Sequence, residues 1–176
     1  TPEPVLAQTT PRPSDAELEA KYGPLVHDGS VINQMHFAAK FARDNLVLYD
    51  PSQSTFYDYA SNTGLWKSVN DEKLMVNLGV WLQQILVGLG KHFLLKKRTQ
   101  NTLSQILKLV RGEAEKTDAF QRTNNIIHVR NGVLHLDDTP PSFHGFSPDY
   151  YSRNSSGICY DETAKCPEFL SKLLQP

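Results

Sequence analysis

Between residues 72 and 112 the large apolar residues recur every three or four positions, and this spacing limits the fold more than any other feature of the 176-residue chain. Leu74, Leu78, Trp81, Leu82, Ile85, Leu86 and Leu89 fall on one face of a helix expected over about Glu72–Val87. Asn70 or Asp71 can cap its start, and Gly88 and Gly90 end it. Leu103, Ile106, Leu107 and Val110 repeat the pattern for a second helix over about Thr99–Gly112. An earlier helix is expected over Asn33–Asp44, where Val31, Met35, Ala38, Ala39 and Ala42 keep helical spacing.

The segments around these helices alternate instead. Asn45–Tyr49, Thr55–Tyr59 and Leu65–Val69 are strand-like, with Asn62-Thr63-Gly64 as a turn. Phe56, Tyr57, Tyr59 and Trp66 suit a half-buried pleated surface. Ile126, Ile127 and Val129 precede Asn131-Gly132, and Val133, Leu134 and Leu136 follow, the strongest short hairpin signal. Asp137–Pro148 reads as loop, and Cys166–Leu174 as a last helix with Pro167 at its first position. The expected class is α+β, mainly helical with two small antiparallel hairpins, leaving open whether the second hairpin is the wing of a winged helix. Residues 1–30, with Pro2, Pro4, Pro11, Pro13 and Pro24, read as a linker or tail. Ser14 and Glu17 have capping-box spacing for a short helix over Ser14–Tyr22. The main domain is then 31–152, and 153–176 is a connector.

The net charge of −1 hides a segregation. None of the 19 acidic residues lies between Lys73 and Gly112, a stretch that holds Lys73, Lys91, Lys96, Lys97, Arg98, Lys108 and Arg111. Such a block points to an anionic partner or an acidic neighbouring domain. No apolar run reaches the roughly 20 residues of a membrane helix, and no signal peptide opens the chain. Cys159 and Cys166 are too few for a disulfide scaffold. The expected location is the cytoplasm. A start at Thr1 rather than Met suggests a piece of a longer gene product.

Catalytic and metal motifs are scarce. Gly90-Lys91 resembles the end of a phosphate loop, but Ile85 stands where the first glycine belongs and His92 where the Mg²⁺-binding hydroxyl belongs. Cys159 and Cys166 are too widely spaced for a zinc knuckle. His128 and His135, on the two arms of the hairpin, read as ordinary strand residues. No G-x-S-x-G occurs, and Asp137-Asp138 and Asp161-Glu162 sit in expected loops. No catalytic or metal residue is therefore expected. The basic block remains: Lys91, Lys96, Lys97 and Arg98 as the centre of a DNA-backbone contact, with Lys108 and Arg111 alongside. Only Trp81 and Phe93 are aromatic within it, which favours phosphate contact over base stacking.

The C-terminal third carries a resemblance. Asn131-Gly132-Val133-Leu134-His135-Leu136 is followed by Phe146-Ser147-Pro148-Asp149-Tyr150-Tyr151, then Tyr160-Asp161 and Ala164-Lys165-Cys166-Pro167-Glu168-Phe169-Leu170. This order resembles the segment before the superfamily-3 helicase domain of phage and plasmid primases and poxvirus-type primase–helicases. Phe56-Tyr57-Asp58-Tyr59 and Trp66 also suit that domain, so the resemblance spans roughly residues 33 to 176. The chain departs from the pattern at His135, where Asp is commoner, and at Asp137-Asp138-Thr139-Pro140, where a Thr-Gly turn is usual. The resemblance implies a non-catalytic, helicase-associated domain of a replication protein in a bacterial or phage-infected cell. It implies DNA, a downstream helicase domain and further copies in a ring as partners. It also implies no cofactor in this piece, with ATP and Mg²⁺ serving the parent helicase. The alternative is an oligomerisation collar or interdomain scaffold that does not touch DNA.

The imperfect Gly90-Lys91-His92 match makes one direct prediction. The chain alone should turn over ATP no faster than a buffer blank. Turnover that survives a second purification would overturn this.

Overall fold

A computed structural model describes residues 11–121 and 125–164. It begins with α1 (Asp15–Tyr22), the ribbon β1 (Val26–His27) and β2 (Val31–Ile32), and α2 (Gln34–Asp44). Then come β3 (Val47–Asp50), β4 (Thr55–Ala60), β5 (Leu65–Val69) and α3 (Asp71–Gly88). A 3-10 helix over His92–Lys97 leads to α4 (Gln100–Glu113). The described chain continues through β6 (Ile126–Val129), β7 (Gly132–His135), β8 (Ser142–His144) and a 3-10 turn over Pro148–Tyr150. All strand pairing is antiparallel: β1 with β2, then two three-stranded meanders, β3-β4-β5 and β6-β7-β8. The α+β class holds. The expected loop 137–148 contains β8, so each expected hairpin is part of a three-stranded sheet.

Local chemistry explains the helix starts. Asn33, Asn70 and Thr99 each accept a backbone amide hydrogen at the head of α2, α3 and α4. Ser14 and Glu17 complete the capping box of α1. The main core joins α2, α3 and α4 through Phe37, Phe41, Leu78, Leu82, Leu86, Ile106 and Val110, all fully buried. Trp81 is partly buried, with its ring edge-on to Phe37 and Phe41 at 6.0 and 5.3 Å. Three expected core residues face outward: Leu89, Val31 and Met35. Leu89 follows the helix end, where the helical period no longer sets its direction. On α2 the buried stripe is instead Phe37, Ala38, Phe41 and Ala42.

The sheet β3-β4-β5 is apolar on both faces. Val47, Phe56 and Val69 join the helical core, while Leu48, Tyr57 and Trp66 form a second cluster with Ala119. Its edges are covered: Tyr49 exchanges backbone hydrogen bonds with Ala114 and Lys116, and the Trp66 amide donates to Ser152. Covered edges remove the templates for strand addition.

The expected tail behaves differently from its composition where it is described. Leu18 of α1 is buried, and Asp15 accepts from Lys40 Nζ at 2.6 Å and pairs with Arg43. Asn33 Nδ2 donates to the Tyr22 and Pro24 carbonyls. Residues 12–30 are thus built onto α2. The expected helix at Cys166–Leu174 lies outside the described residues.

The hydrogen bonds from Lys40 and then Arg43 pull the Asp15 carboxyl down to about 2. A depressed carboxyl stabilises the fold above its unfolded value and loses that contribution as pH falls through the folded one. Docking of α1 should therefore weaken between about pH 4 and pH 2. The pair is solvent-facing on the Asp15 side, so Asp15→Asn should cost only about 0.5–1 kcal/mol at pH 7. Hydrogen exchange of the α1 amides measures both effects, and unchanged protection in the variant would refute the tie.

Candidate nucleic-acid interface

α3 and α4 are antiparallel, since Arg111 near the end of α4 bonds Asp71 at the start of α3. This splits the seven-cation block between two ends of the helical pair. At one end, Lys91, Lys96, Lys97 and Arg98 occupy the connection, with Lys96, Lys97 and Arg98 exposed and Lys91 half-buried. At the other end, Lys73 and Lys108 are exposed and Arg111 is partly covered. The first four share one connection of eight residues, and Lys108 and Arg111 lie at the opposite end of the helical pair.

The cations also differ in what holds them. Arg111 stacks over Tyr49 and Phe56, with its guanidinium carbon 5.5 and 5.6 Å from their centroids. With Asp71 it forms a brace between helix and sheet. Asp71 lies just before the acid-free stretch, which is why counting within that stretch missed it. Arg98 Nη1 donates to the Gly79 carbonyl at 3.0 Å, and Lys97 Nζ to the Ser30 carbonyl at 2.7 Å. Lys91, Lys96, Lys97, Arg98 and Lys108 make no salt bridge among the described residues. The first turn of α4, directly after Arg98, carries no acidic residue, so its amide dipoles reinforce the positive potential there. Phe93 stands 52% exposed in the same connection, 6.0 Å from Lys91 Nζ. It is an aromatic face that sequence reasoning undervalued.

The motif residues of the C-terminal third converge. The β6–β7 turn residues are Arg130 and Asn131, because Val129 pairs with Gly132. Asn131 uses its amide as a clamp: Nδ2 donates to the Tyr160 carbonyl at 3.0 Å and Oδ1 accepts the Tyr160 amide at 2.8 Å. Gly132 is not in a positive-φ conformation. It is needed for close approach: a Cβ there would lie 2.5 Å from the Phe143 ring and 2.6 Å from the His144 carbonyl. The expected glycine-driven turn is thus corrected to a clamp and a contact. Trp66 Nε1 donates to the Pro148 carbonyl at 2.9 Å, and its ring stacks on Tyr151 at 6.1 Å. Buried Ser147 accepts the Asp149 amide. These contacts join the two sheets and give the motif residues structural roles.

The histidines separate. His128 Nε2 bonds the Thr63 carbonyl at 2.9 Å and its ring stacks on Phe146, the strand-residue role expected of it. Burial holds it below the ordinary imidazole range. His135 instead meets His144, which sequence reasoning passed over, and Asp138, which it read as a loop carboxylate. Burial, then the neighbouring His144, depresses its affinity for a proton. Ser142 donates to Asp138 and lies 2.6 Å from His144 Nε2. In this order the carboxylate meets the hydroxyl and not the far imidazole nitrogen, unlike a hydrolase triad. Only knowledge of β8 could have revealed the group, since the two histidines become neighbours through that strand.

The chain belongs to the family described as D5 N terminal like, whose model matches residues 34–175. It is an N-terminal domain of the D5-type primase–helicases, multidomain DNA-replication proteins. No curated protein matches the chain. Among the described residues, no helix is long and apolar enough to cross a membrane.

The two close approaches at Gly132 give a prediction. Gly132→Ala should cost about 1–3 kcal/mol through overpacking, lowering Tm by about 2–4 °C per kcal/mol. Gly112→Ala, where a Cβ meets nothing within 4 Å, should match or exceed the wild-type Tm. Calorimetry of both variants checks it, and equal Tm values would remove the close-approach role.

Proposed function

We propose that this domain is a non-catalytic module of a primase–helicase that grips the DNA backbone through the α3–α4 connection. The observation that carries the reading is the exposed run Lys96-Lys97-Arg98, with Lys91 before it and the acid-free head of α4 after it. Phosphates are the ligands such a surface takes: point charges, a guanidinium and the positive end of a helix. Phe93 adds a surface for stacking one base, which favours single-stranded DNA. In the full protein, ATP and Mg²⁺ serve a separate helicase domain, and a ring in the cytoplasm presents several copies of this surface. Each copy binds weakly and the ring binds by avidity.

A second reading has its own observation. The outer face of α3 exposes Val76, Val80 and Val87, and no charged residue occurs from Leu74 to Gly90. Two copies packed antiparallel on this face would set Val76 of one opposite Val87 of the other, and Glu72 near Lys91. That self-complementary pattern suits an assembly surface, the scaffold role without DNA.

Fluorescence anisotropy with labelled single- and double-stranded DNA across a salt series tests the first reading. Three to five phosphate contacts should give a log–log slope of about −0.7 per contact on single strands and −0.9 on duplex. The triple variant Lys96→Glu, Lys97→Glu, Arg98→Glu should abolish binding while keeping its fold by circular dichroism. Equal binding with an equal slope would sink the DNA reading. If neither protein binds DNA and Val80→Lys alters sedimentation, the scaffold reading replaces it.

A further inference from the structure

We propose that His135, Asp138 and His144 form a binding site for a divalent transition-metal cation of the zinc type, which fastens the β7–β8 loop to its sheet.

The site is assembled by register. His135 pairs with Ser142 and Val133 with His144 across β7 and β8, so these side chains share one face and the two histidines are diagonal neighbours. Their ring centroids are 4.2 Å apart. Asp138 follows His135 by three residues in the connecting loop and turns back over the same face. One ligand atom from each of the three side chains lies within 4.8 Å of the other two. Small side-chain rotations bring such donors to the roughly 2.0–2.2 Å that Zn²⁺ requires from imidazole and carboxylate.

The donor set selects the ion. Two imidazoles favour zinc, cobalt, nickel or copper over calcium and magnesium, which prefer oxygen throughout. Three protein ligands leave a fourth position for water or a further group. The surroundings also suit a metal site. Tyr150 Oη lies 3.0 Å from His135 Nε2 and fixes that ring, leaving its other nitrogen for an ion. Ser142 Oγ, at 2.6 Å from His144 Nε2 and bonded to Asp138, holds these two donors side by side. Asn125 Nδ2 donates to Asp137 Oδ1 at 2.7 Å and anchors the stem of the loop. Histidine and carboxylate both have accessible surface, so an ion has an entry path.

The test uses the chain stripped with chelator. Isothermal titration with Zn²⁺ should give one ion per chain, and Co²⁺ should give the visible bands of a low-coordinate site. His144→Ala and His135→Ala should weaken Zn²⁺ at least tenfold and abolish the cobalt bands. Tyr150→Phe should retain binding with a smaller loss. His92→Ala, on the 3-10 helix, should leave affinity unchanged. Asp138→Asn, in an exposed loop, tests the site without risk to the fold if a histidine variant fails to fold, and should also weaken Zn²⁺. A wild-type chain that takes up no Zn²⁺ at millimolar concentration overturns the proposal. So does unchanged affinity in Asp138→Asn together with a folded His144→Ala.

Discussion

The burial of Phe37, Phe41, Leu78, Leu82, Leu86, Ile106 and Val110 in one mass decides where everything else can go. Three amphipathic helices can hide these side chains only by lying across one another, and α3 and α4 do so antiparallel. That direction puts the connection of Lys91–Arg98 at one extremity and the Asp71–Arg111 contact at the other. The positive charges therefore acquire different tasks by geography. Arg111 is committed to a helix–sheet brace under Tyr49 and Phe56, while Lys96 and Lys97 are exposed, Lys97 with its Nζ on the Ser30 carbonyl.

The second organising contact is Trp66. From β5 it reaches the Pro148 carbonyl and the Tyr151 ring, so the segment after β8 is tied to the first sheet rather than only to its own. The Gly64 turn helps, because it lets the Phe146 ring approach the backbone at a position with φ of +68° where a Cβ would sit 2.4 Å away. Glycine is required there twice over, for conformation and for space.

Much of this architecture was legible in the sequence because it rests on periodicity and capping. The helices α2, α3 and α4 and the strands β3, β4 and β5 fall close to their expected ranges, as single-residue signals such as Asn33, Asn70 and Thr99 predict. What escaped depends on neighbours distant in the chain. The ribbon β1–β2 is too short to show alternation, and β8 has only Ser142, Phe143 and His144 with which to show it. The docking of α1 depends on Lys40 and Arg43, and the engagement of Arg111 on Asp71, none of which a local charge count couples. The Asn131-Gly132 pair was read for its turn propensity, yet its chemistry is a side-chain clamp on Tyr160. The basic connection was visible at once, but Phe93 counted only as a sparse aromatic within it until its 52% exposure was seen.

The strap formed by residues 156–160 has a mechanical consequence. The Ser156 amide bonds the His128 carbonyl, the Arg130 amide bonds the Ile158 carbonyl, and Asn131 grips Tyr160 on both sides. Any tension on the chain beyond Ala164 must load these bonds before it reaches the helical body. The β6–β7 hairpin thereby acts as a strain relief. A pull arriving from that side meets the Asn131 clamp on Tyr160 first, then the Arg130–Ile158 bond, then the His128–Ser156 bond.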